Sequence, residues 1–349
     1  MKTKLYSTLL KAGLSFITLI LFLGAFAGTW RVNNTDNSAD FVSIQAAINN
    51  MTDVADGDTL FVEGSAFVYS GFTLNRLLYI IGPGYRLSEN PQTGTLASVA
   101  VIDGTAEFVS GSEGSVFSGF VFDDDNSTDD ITYVNGVNNI TIMRCYQTFA
   151  ININSSVQNI IIVQNYFEDD AIRIDNLSED FFQGVIFDNN IVRNDFNRST
   201  DASAPRTFAS VDNNIFLEDV VVTTATFRNN IWDPLGGSAS INITSGIIEN
   251  NLFFNSQLGT ENGNMGFTDN TTVFGDRTGR SFDEQWALDD GSTFKNSGTD
   301  GTDPGPFGGS NPYVLSGVPP LPVIYEINTS GFGNQENGLP VEIKVRSSN

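Results

Sequence analysis

The segment Phe187-Asp188-Asn189-Asn190-Ile191 is one copy of a phrase that decides the fold. Each copy has an apolar residue at its first and fifth positions and asparagine at its centre. Full copies begin at residues 163, 187, 211, 227 and 248, and two variants begin at 117 and 143. The central positions are therefore 119, 145, 165, 189, 213, 229 and 250, with gaps of 26, 20, 24, 24, 16 and 21 residues. An average spacing of about 22 residues, in short alternating stretches broken by Gly, Asn and Asp, is typical of a β-solenoid.

Each repeat is too short to bury its own apolar face, so successive repeats must stack and hydrogen-bond strand to strand. The spacing lacks the leucine pattern of leucine-rich repeats and the helical period of ankyrin and TPR arrays. The sequence therefore predicts an all-β fold, a β-helix in which successive coils rise by about 4.8 Å.

The central asparagines are predicted to point inward and to form a continuous row, because a buried amide is costly unless another amide satisfies it. This structural row consists of Asn165, Asn189, Asn213, Asn229 and Asn250. Cys145 and Gly119 are interpreted as small substitutes in the same row, and the residue after each central Asn is assigned to a turn with left-handed backbone angles. The gap of 16 residues leaves two explanations open: either the phrase at 213 is offset, or that coil has lost a loop.

The flanking segments divide the chain into three parts. Residues 1–27 combine a basic start, an apolar run and the sequence Ala25-Phe26-Ala27, which predicts an export signal cleaved before Gly28. The rival interpretation is a membrane anchor, but the apolar run is shorter than the roughly 20 residues that a span requires. Residues 28–298 are assigned to the β-helix, with a capping helix at Ser43–Met51 whose N-cap is Ser43. Residues 299–349 are rich in Gly and Pro and are assigned to a C-terminal cap or appendix with two extended segments.

Composition excludes several functions. The chain has 41 acidic residues against 17 basic ones, a net charge of −24, and no histidine. Nucleic acid and anionic membrane surfaces are therefore poor partners, and acidic polysaccharide would need a cation or an arginine cluster. Without histidine there is no Ser-His-Asp triad, no Cys-His dyad and no His-ligated zinc. Cys145 is the single cysteine, so no disulfide forms within the chain.

The entry segment Phe41–Ile48, the first strand at Gly57–Val62, the segment Ile80–Gly84 and the asparagine phrases together resemble the right-handed parallel β-helix, or pectin lyase-like, superfamily. The resemblance covers roughly residues 38–275 and implies a single-stranded right-handed helix of about ten coils. The segments 303–313 and 341–346 also resemble secreted β-helix proteins of the Bacteroidota. Many members of the superfamily act on polysaccharides, but others are adhesins and surface proteins, so the fold alone does not assign chemistry.

The first candidate catalytic group is the pair Asp169 and Asp170, which resembles the acid pair of polygalacturonases. Those enzymes also carry Asn-Thr-Asp and Gly-His-Gly motifs. In this chain Asn34-Thr35-Asp36 precedes the capping helix and histidine is absent. The alternative is that this acidic segment is a solvated turn.

The second candidate is the outward row that precedes the central positions: Ser118, Arg144, Gln164, Asp188, Asp212, Arg228 and Glu249. Stacking brings neighbours in such a row within about 5 Å, so Asp188 and Asp212 could share a Ca²⁺ ion. By resemblance to β-helix lyases, Arg144 or Arg228 would act as the base. The alternative is a column of salt pairs that relieves like-charge stacking.

Two further groups are candidates for binding. Tyr146 and Tyr166 stack one coil apart and could hold a sugar ring, although aromatic stacking inside a solenoid is commonly structural. The acidic stretch 123–130 could bind Ca²⁺ loosely, but it lacks the ligand spacing of an EF-hand.

The sequence therefore favours an exported, non-catalytic β-helix protein, secreted or on the cell surface, which presents a long face to a carbohydrate or cell-surface component. It needs no cofactor, with Ca²⁺ as the one candidate, and has no transmembrane span after removal of the signal. The alternative is a Ca²⁺-assisted polysaccharide lyase or glycoside hydrolase acting on acidic glycans.

Overall fold

A computed structural model describes residues 27–90, 98–122, 132–153, 156–174, 182–196, 207–235, 239–320, 322–329, 331–333 and 338–346. Two sequence predictions fall outside the described residues: the export signal predicted for 1–27, of which only Ala27 is described, and the acidic stretch at 123–130.

Short β-strands make up most of the chain. In order, the first part contains β1 Thr29–Val32, α1 Ile44–Asn49, β2 Thr59–Val62, β3 Tyr69–Leu74, β4 Tyr79–Ile81, β5 Val101–Phe108, β6 Val116–Ser118, β7 Val121–Phe122, β8 Thr132–Val134, β9 Thr141–Met143, β10 Tyr146–Gln147, β11 Ile151–Ile153, β12 Val157–Gln158, β13 Ile161–Val163, β14 Tyr166–Phe167 and β15 Ile172–Ile174. The second part contains β16 Phe182–Gln183, β17 Ile186–Asp188, β18 Ile191–Val192, β19 Thr207–Phe208, β20 Val211–Asp212, β21 Ile215–Phe216, β22 Val220–Arg228, β23 Ile231–Trp232, β24 Ile241–Glu249, β25 Leu252–Phe254, β26 Met265–Phe267, α2 Thr271–Phe274, β27 Val323–Thr329 and β28 Val341–Arg346.

The predicted all-β class is confirmed, and all strand pairs but one within the described residues are parallel. The first sheet has seven strands in the order β1-β2-β4-β6-β9-β13-β17. The second sheet has 13 strands and includes the run β7-β10-β14-β18-β21-β23-β25-β26. In the run from β7 to β25, neighbouring strands come from successive repeats of the phrase, so each repeat adds its strand beside the corresponding strand of the repeat before it. These long parallel sheets are compatible with a β-helix.

The predicted capping helix is confirmed, although α1 ends at Asn49 rather than Met51. Ser43 is its N-cap, and the Ser43 hydroxyl accepts a hydrogen bond of 3.1 Å from the Ala46 amide. Ile44, Ala47 and Ile48 are buried and join the main core, so the helix covers the apolar interior at this end of the parallel sheets.

The short gap of 16 residues has a structural explanation. Strand β22 is nine residues long and pairs with β19 through Thr223 and Thr224 and with β20 through Phe227 and Arg228. One continuous strand therefore replaces two strands and the turn between them, and this repeat needs no loop.

The C-terminal part of the chain lies against the outer side of the second sheet. A second core is separate from the main one and contains Tyr146, Tyr166, Ile191, Ile215, Ile231 and Leu252 from successive strands of that sheet. Val273, Phe274, Trp286 and Tyr313 pack on them from the segment 271–320, which we call the strap. The two extended segments predicted after the strap are β27 and β28, which pair antiparallel. In the described part of the chain, no helix has the length and apolar character needed to cross a membrane.

Candidate functional site

A buried asparagine ladder exists, but its register differs by one residue from the prediction in four of five repeats. Its members are Asn165, Asn190, Asn214, Asn230, Asn251 and Asn264, all of them buried. Each side-chain Oδ1 from Asn190 onward accepts bonds from the backbone N–H and the Nδ2 of the preceding member. For the bonds between Asn190 and Asn214 the lengths are 2.8 and 3.2 Å. The prediction is thus correct for Asn165 and wrong for Asn189, Asn213, Asn229 and Asn250, because the inward amide is the second of the two asparagines.

The column predicted to point inward contains the turn residues. Asn189, Asn213, Asn229 and Asn250 have φ between 54° and 58°, in the left-handed region that asparagine tolerates. Gln164 and Arg144 hold the same turn position in their repeats and also have a positive φ. Gly119 holds this position one repeat before Arg144, and its φ is positive as well. Cys145 does occupy the ladder position, since its amide donates to the Asn165 Oδ1 at 3.0 Å, whereas Phe120 rather than Gly119 holds that position one repeat earlier.

Among the six side chains of this turn column, that of Asn213 does not hydrogen-bond to the strap, whereas those of Asn250, Asn229, Asn189, Gln164 and Arg144 do. They contact it in reverse order, so the strap runs back along the stack: Asn250 Nδ2 to Ser297 O at 2.9 Å, Thr299 N to Asn229 Oδ1 at 2.8 Å, Asn189 Nδ2 to Pro306 O and Gly308 O at 2.9 Å each, Gln164 Nε2 to Pro312 O at 2.7 Å, and Arg144 Nη1 to Val318 O at 2.8 Å. The sequence prediction missed this role, since a recurring polar pair gives no sign of which distant segment it binds.

Arg144 does not lie in one row with the aspartates, contrary to the prediction. The strand residue that pairs with Asp188 is Val163, which in turn pairs with Met143. Arg144 lies one residue later, at the turn, where it is buried and its Nε donates to Gln164 Oε1 at 2.7 Å. Burial lowers the pKa of the Arg144 guanidinium. Its position between the turn and the strap is that of a structural anchor.

Asp188, Asp212, Arg228 and Glu249 do form one outward column. Asp212 pairs in register with Arg228, and Arg228 pairs with Glu249, with an ion pair of 2.8 Å between Arg228 Nε and Glu249 Oε1. Asp188 accepts bonds from the Ser210 hydroxyl at 3.0 Å and from the Asp212 amide at 2.9 Å. Burial, and secondarily the charge of Asp212, raises the pKa of Asp188 to about 7, although these hydrogen bonds oppose the shift. Burial also raises the pKa of Asp212.

The surroundings of Asp188 and Asp212 do not fit a shared Ca²⁺ ion. Both carboxylate oxygens of Asp188 accept bonds from Ser210 Oγ, and both oxygens of Asp212 accept bonds from Thr226 Oγ1. Ca²⁺ takes six to eight oxygen ligands. Among the residues that the structure describes, no group of three or more Asp, Glu, Cys or His side chains could hold a metal ion.

The two residues of the candidate acid pair, Asp169 and Asp170, lie in different environments. Asp169 is half-exposed and accepts a bond from Asn194 Nδ2, whereas Asp170 is buried. The preceding Glu168 pairs with Arg193 and accepts a bond of 3.2 Å from the Tyr146 hydroxyl. The structure therefore places Asp169 in a polar surface network and Asp170 in the interior.

Tyr146 and Tyr166 stack as predicted, with ring centroids 5.4 Å apart. Both are buried, since the ring of Phe282 in the strap lies 4.8 Å from that of Tyr166 and 6.1 Å from that of Tyr146. Their ring faces are thus closed to a sugar ring.

The outward face of the first sheet, in contrast, is open along much of its length. Two columns of side chains follow from the register, and their half-exposed or exposed members are Thr59, Phe61, Tyr79, Ile81, Val116, Thr141, Met143, Ile161 and Ile186. Tyr79 is the most exposed aromatic side chain among them, at 37%. These two columns combine apolar side chains with the hydroxyl groups of Thr59 and Thr141, and they form the candidate interaction surface of the described chain.

No protein-family model matches this chain, and neither a curated protein nor a solved structure matches it.

Proposed function

We propose that this chain is an exported, non-catalytic, right-handed β-helix protein of about ten coils that binds a polysaccharide along the outward face of its first sheet. The observation that carries the proposal is the contrast between the two long sheets. The strap covers the outer side of the second sheet, while the outer side of the first remains open and carries Phe61 and Tyr79.

The chemistry of this face favours a neutral polysaccharide. The rings of Phe61 and Tyr79 offer apolar contact and Thr59 and Thr141 offer hydroxyl groups, which suit the faces and edges of sugar rings. A net charge of −24 repels an acidic chain. A face built from parallel strands repeats about every 4.8 Å, and such a periodic surface suits an extended polymer.

A glycan array followed by calorimetry with the best ligand tests the proposal. Tyr79→Ala is expected to weaken binding by roughly tenfold, because the most exposed ring of the face is lost. Phe67→Ala is the matched control, since Phe67 is an aromatic residue that is 70% exposed in the loop after β2. Equal loss in both variants, or no glycan bound by the parent protein, would refute the proposal.

The alternative, a polysaccharide lyase or glycoside hydrolase, is supported by one observation. Asp188 is half-buried with a pKa of about 7 beside a second carboxylate, and a general acid needs such a pKa. Release of reducing ends or of an unsaturated, ultraviolet-absorbing product, abolished in Asp188→Asn, would establish it in place of the non-catalytic proposal.

A further inference from the structure

The last long strand of the described parallel stack has an edge without a strand partner, although near its end Ile247 bonds to the Ser245 hydroxyl and Ile248 O accepts a bond from Asn264 Nδ2. Strand β24 pairs with β22 along its whole length, and within the described ranges no strand pairs with its other edge. Such an edge presents a row of main-chain N–H and C=O groups, and another β-strand can satisfy them in order.

The interior is also open at this end. In β22 the inward-facing Val220 and Val222 are buried. Their register partners in β24, Ile241 and Ile243, are only half-buried, although Leu258 packs against the same core. At the opposite end of the stack α1 covers the interior. Within the described residues, an open interior beside an unpaired strand edge therefore exists at one end.

Charge favours a second copy of this chain as the occupant. Residues 241–248 contain no charged side chain, in a protein with 41 acidic residues. Two copies that repel each other elsewhere can therefore approach through this edge at the least electrostatic cost. A single open end also closes the assembly at two copies, whereas two open ends would give a filament.

We infer that the protein forms a two-fold dimer in which the β24 strands of two copies pair antiparallel, end to end. In this pairing Ile243 of one copy lies opposite Ile243 of the other. Ile241 then lies opposite Ser245 of the other copy, and Asn242 lies opposite Thr244. A two-fold axis along the sheet normal keeps the inward faces of both copies on one side, so the two interiors join. This assembly is independent of the proposed glycan binding.

Sedimentation velocity of the purified protein from about 1 to 100 µM tests the inference. The parent protein is expected to sediment as a dimer, and Ile243→Lys as a monomer with a dissociation constant raised roughly 100-fold, because a buried lysine would lie opposite its copy. Val221→Lys is the matched control, since Val221 is 48% exposed on the adjacent strand and faces outward, and it should remain dimeric.

A cysteine variant tests the register and does not depend on a charge being tolerated. Antiparallel partners lie about 4.5–5.5 Å apart, which a disulfide can bridge. Ile243→Cys should therefore form a covalent dimer on mild oxidation, and Val221→Cys should not. The native Cys145 is buried, and burial raises its thiol pKa to about 12, so it does not compete.

A monomeric parent protein over the whole concentration range would overturn the inference. A dimer that Ile243→Lys leaves intact would do the same, as would cross-linking that is equal for both cysteine variants. Capture of a foreign β-strand by a monomer would assign the edge to a different partner.

Discussion

Asn213 and Asn214 are adjacent and identical in chemistry, yet their amides lie in different environments. Asn214 Oδ1 accepts from Asn190, and its Nδ2 donates to Phe187 O at 2.8 Å and Asp212 O at 3.0 Å. The Nδ2 of Asn213 has no partner among the described residues. A buried donor that loses its partner costs about 1–3 kcal/mol.

Asn214→Ala should therefore lower the free energy of unfolding by about 3 kcal/mol or more, since several buried groups lose their partners together. Asn213→Gly is the control and should change stability by less than about 1 kcal/mol, because glycine accepts the positive φ at that turn. Urea unfolding monitored by circular dichroism measures both. Similar losses in the two variants would contradict the ladder register.

Asp188 gives the stability a dependence on pH. Its pKa is about 7 in the folded protein, against an ordinary value of 3.8, so the folded state binds the proton more tightly. Its stabilising contribution is complete below the ordinary pKa and is lost as the pH rises through about 7.

Asp188→Asn should consequently be more stable than the parent protein at pH 8, by roughly 2–4 kcal/mol, and this difference should vanish near pH 4. Thermal unfolding at pH 4, 6 and 8 provides the measurement. Asp269→Asn, at an exposed carboxyl group, is the control and should show no gain at pH 8. A gain at pH 4 that exceeds the gain at pH 8 would show that the sign is wrong.

Among the elements, the helix cap and the parallel strands could be predicted from local sequence, because Ser43 and the alternating apolar residues determine them locally. The ladder register could also have been found. The apolar residue after each ladder Asn, such as Tyr166 or Ile191, aligns Asn165 with Asn190 rather than with Asn189. Alignment on the first asparagine of each phrase instead places Arg144 in the outward column of Asp188, although Arg144 lies in the turn column.

The strap could not be predicted in the same way. Its residues do not repeat, and its contacts join positions between 47 residues apart, as for Asn250 and Ser297, and 174 residues apart, as for Arg144 and Val318. A polar residue at a solenoid turn has the same sequence signature whether it faces water or a covering segment. For this reason the sequence does not reveal the burial of Tyr146 and Tyr166 either.

The bonds between the turn column and the strap yield an element-level prediction. Asn189→Gly preserves the left-handed turn but removes two hydrogen bonds to the strap, at Pro306 and Gly308. The change should cost about 1–3 kcal/mol and should speed hydrogen exchange in residues 297–318 more than in the sheets. Asn213→Gly serves again as the control, with no such bond removed. Equal exchange rates in the two variants would contradict the proposed anchoring.

On the scale of the whole molecule, two electrostatic effects oppose each other when salt is added. The excess of 41 acidic over 17 basic residues produces a repulsion that salt screens. Surface ion pairs such as Arg31–Glu63 and Arg193–Glu168 weaken under the same conditions, but each contributes only about 0–1 kcal/mol. Since the acidic residues far outnumber their basic partners, screening of repulsion should prevail.

The melting temperature should therefore rise by several degrees as NaCl increases from about 20 to 300 mM at pH 8. The rise should be smaller at pH 5, where the carboxyl groups with raised pKa values, Asp188 among them, already carry less charge. Sucrose at matched osmolarity separates screening from general solute effects. A melting temperature that falls with salt at pH 8 would mean that the ion pairs, rather than the net charge, dominate the electrostatic stability of the molecule.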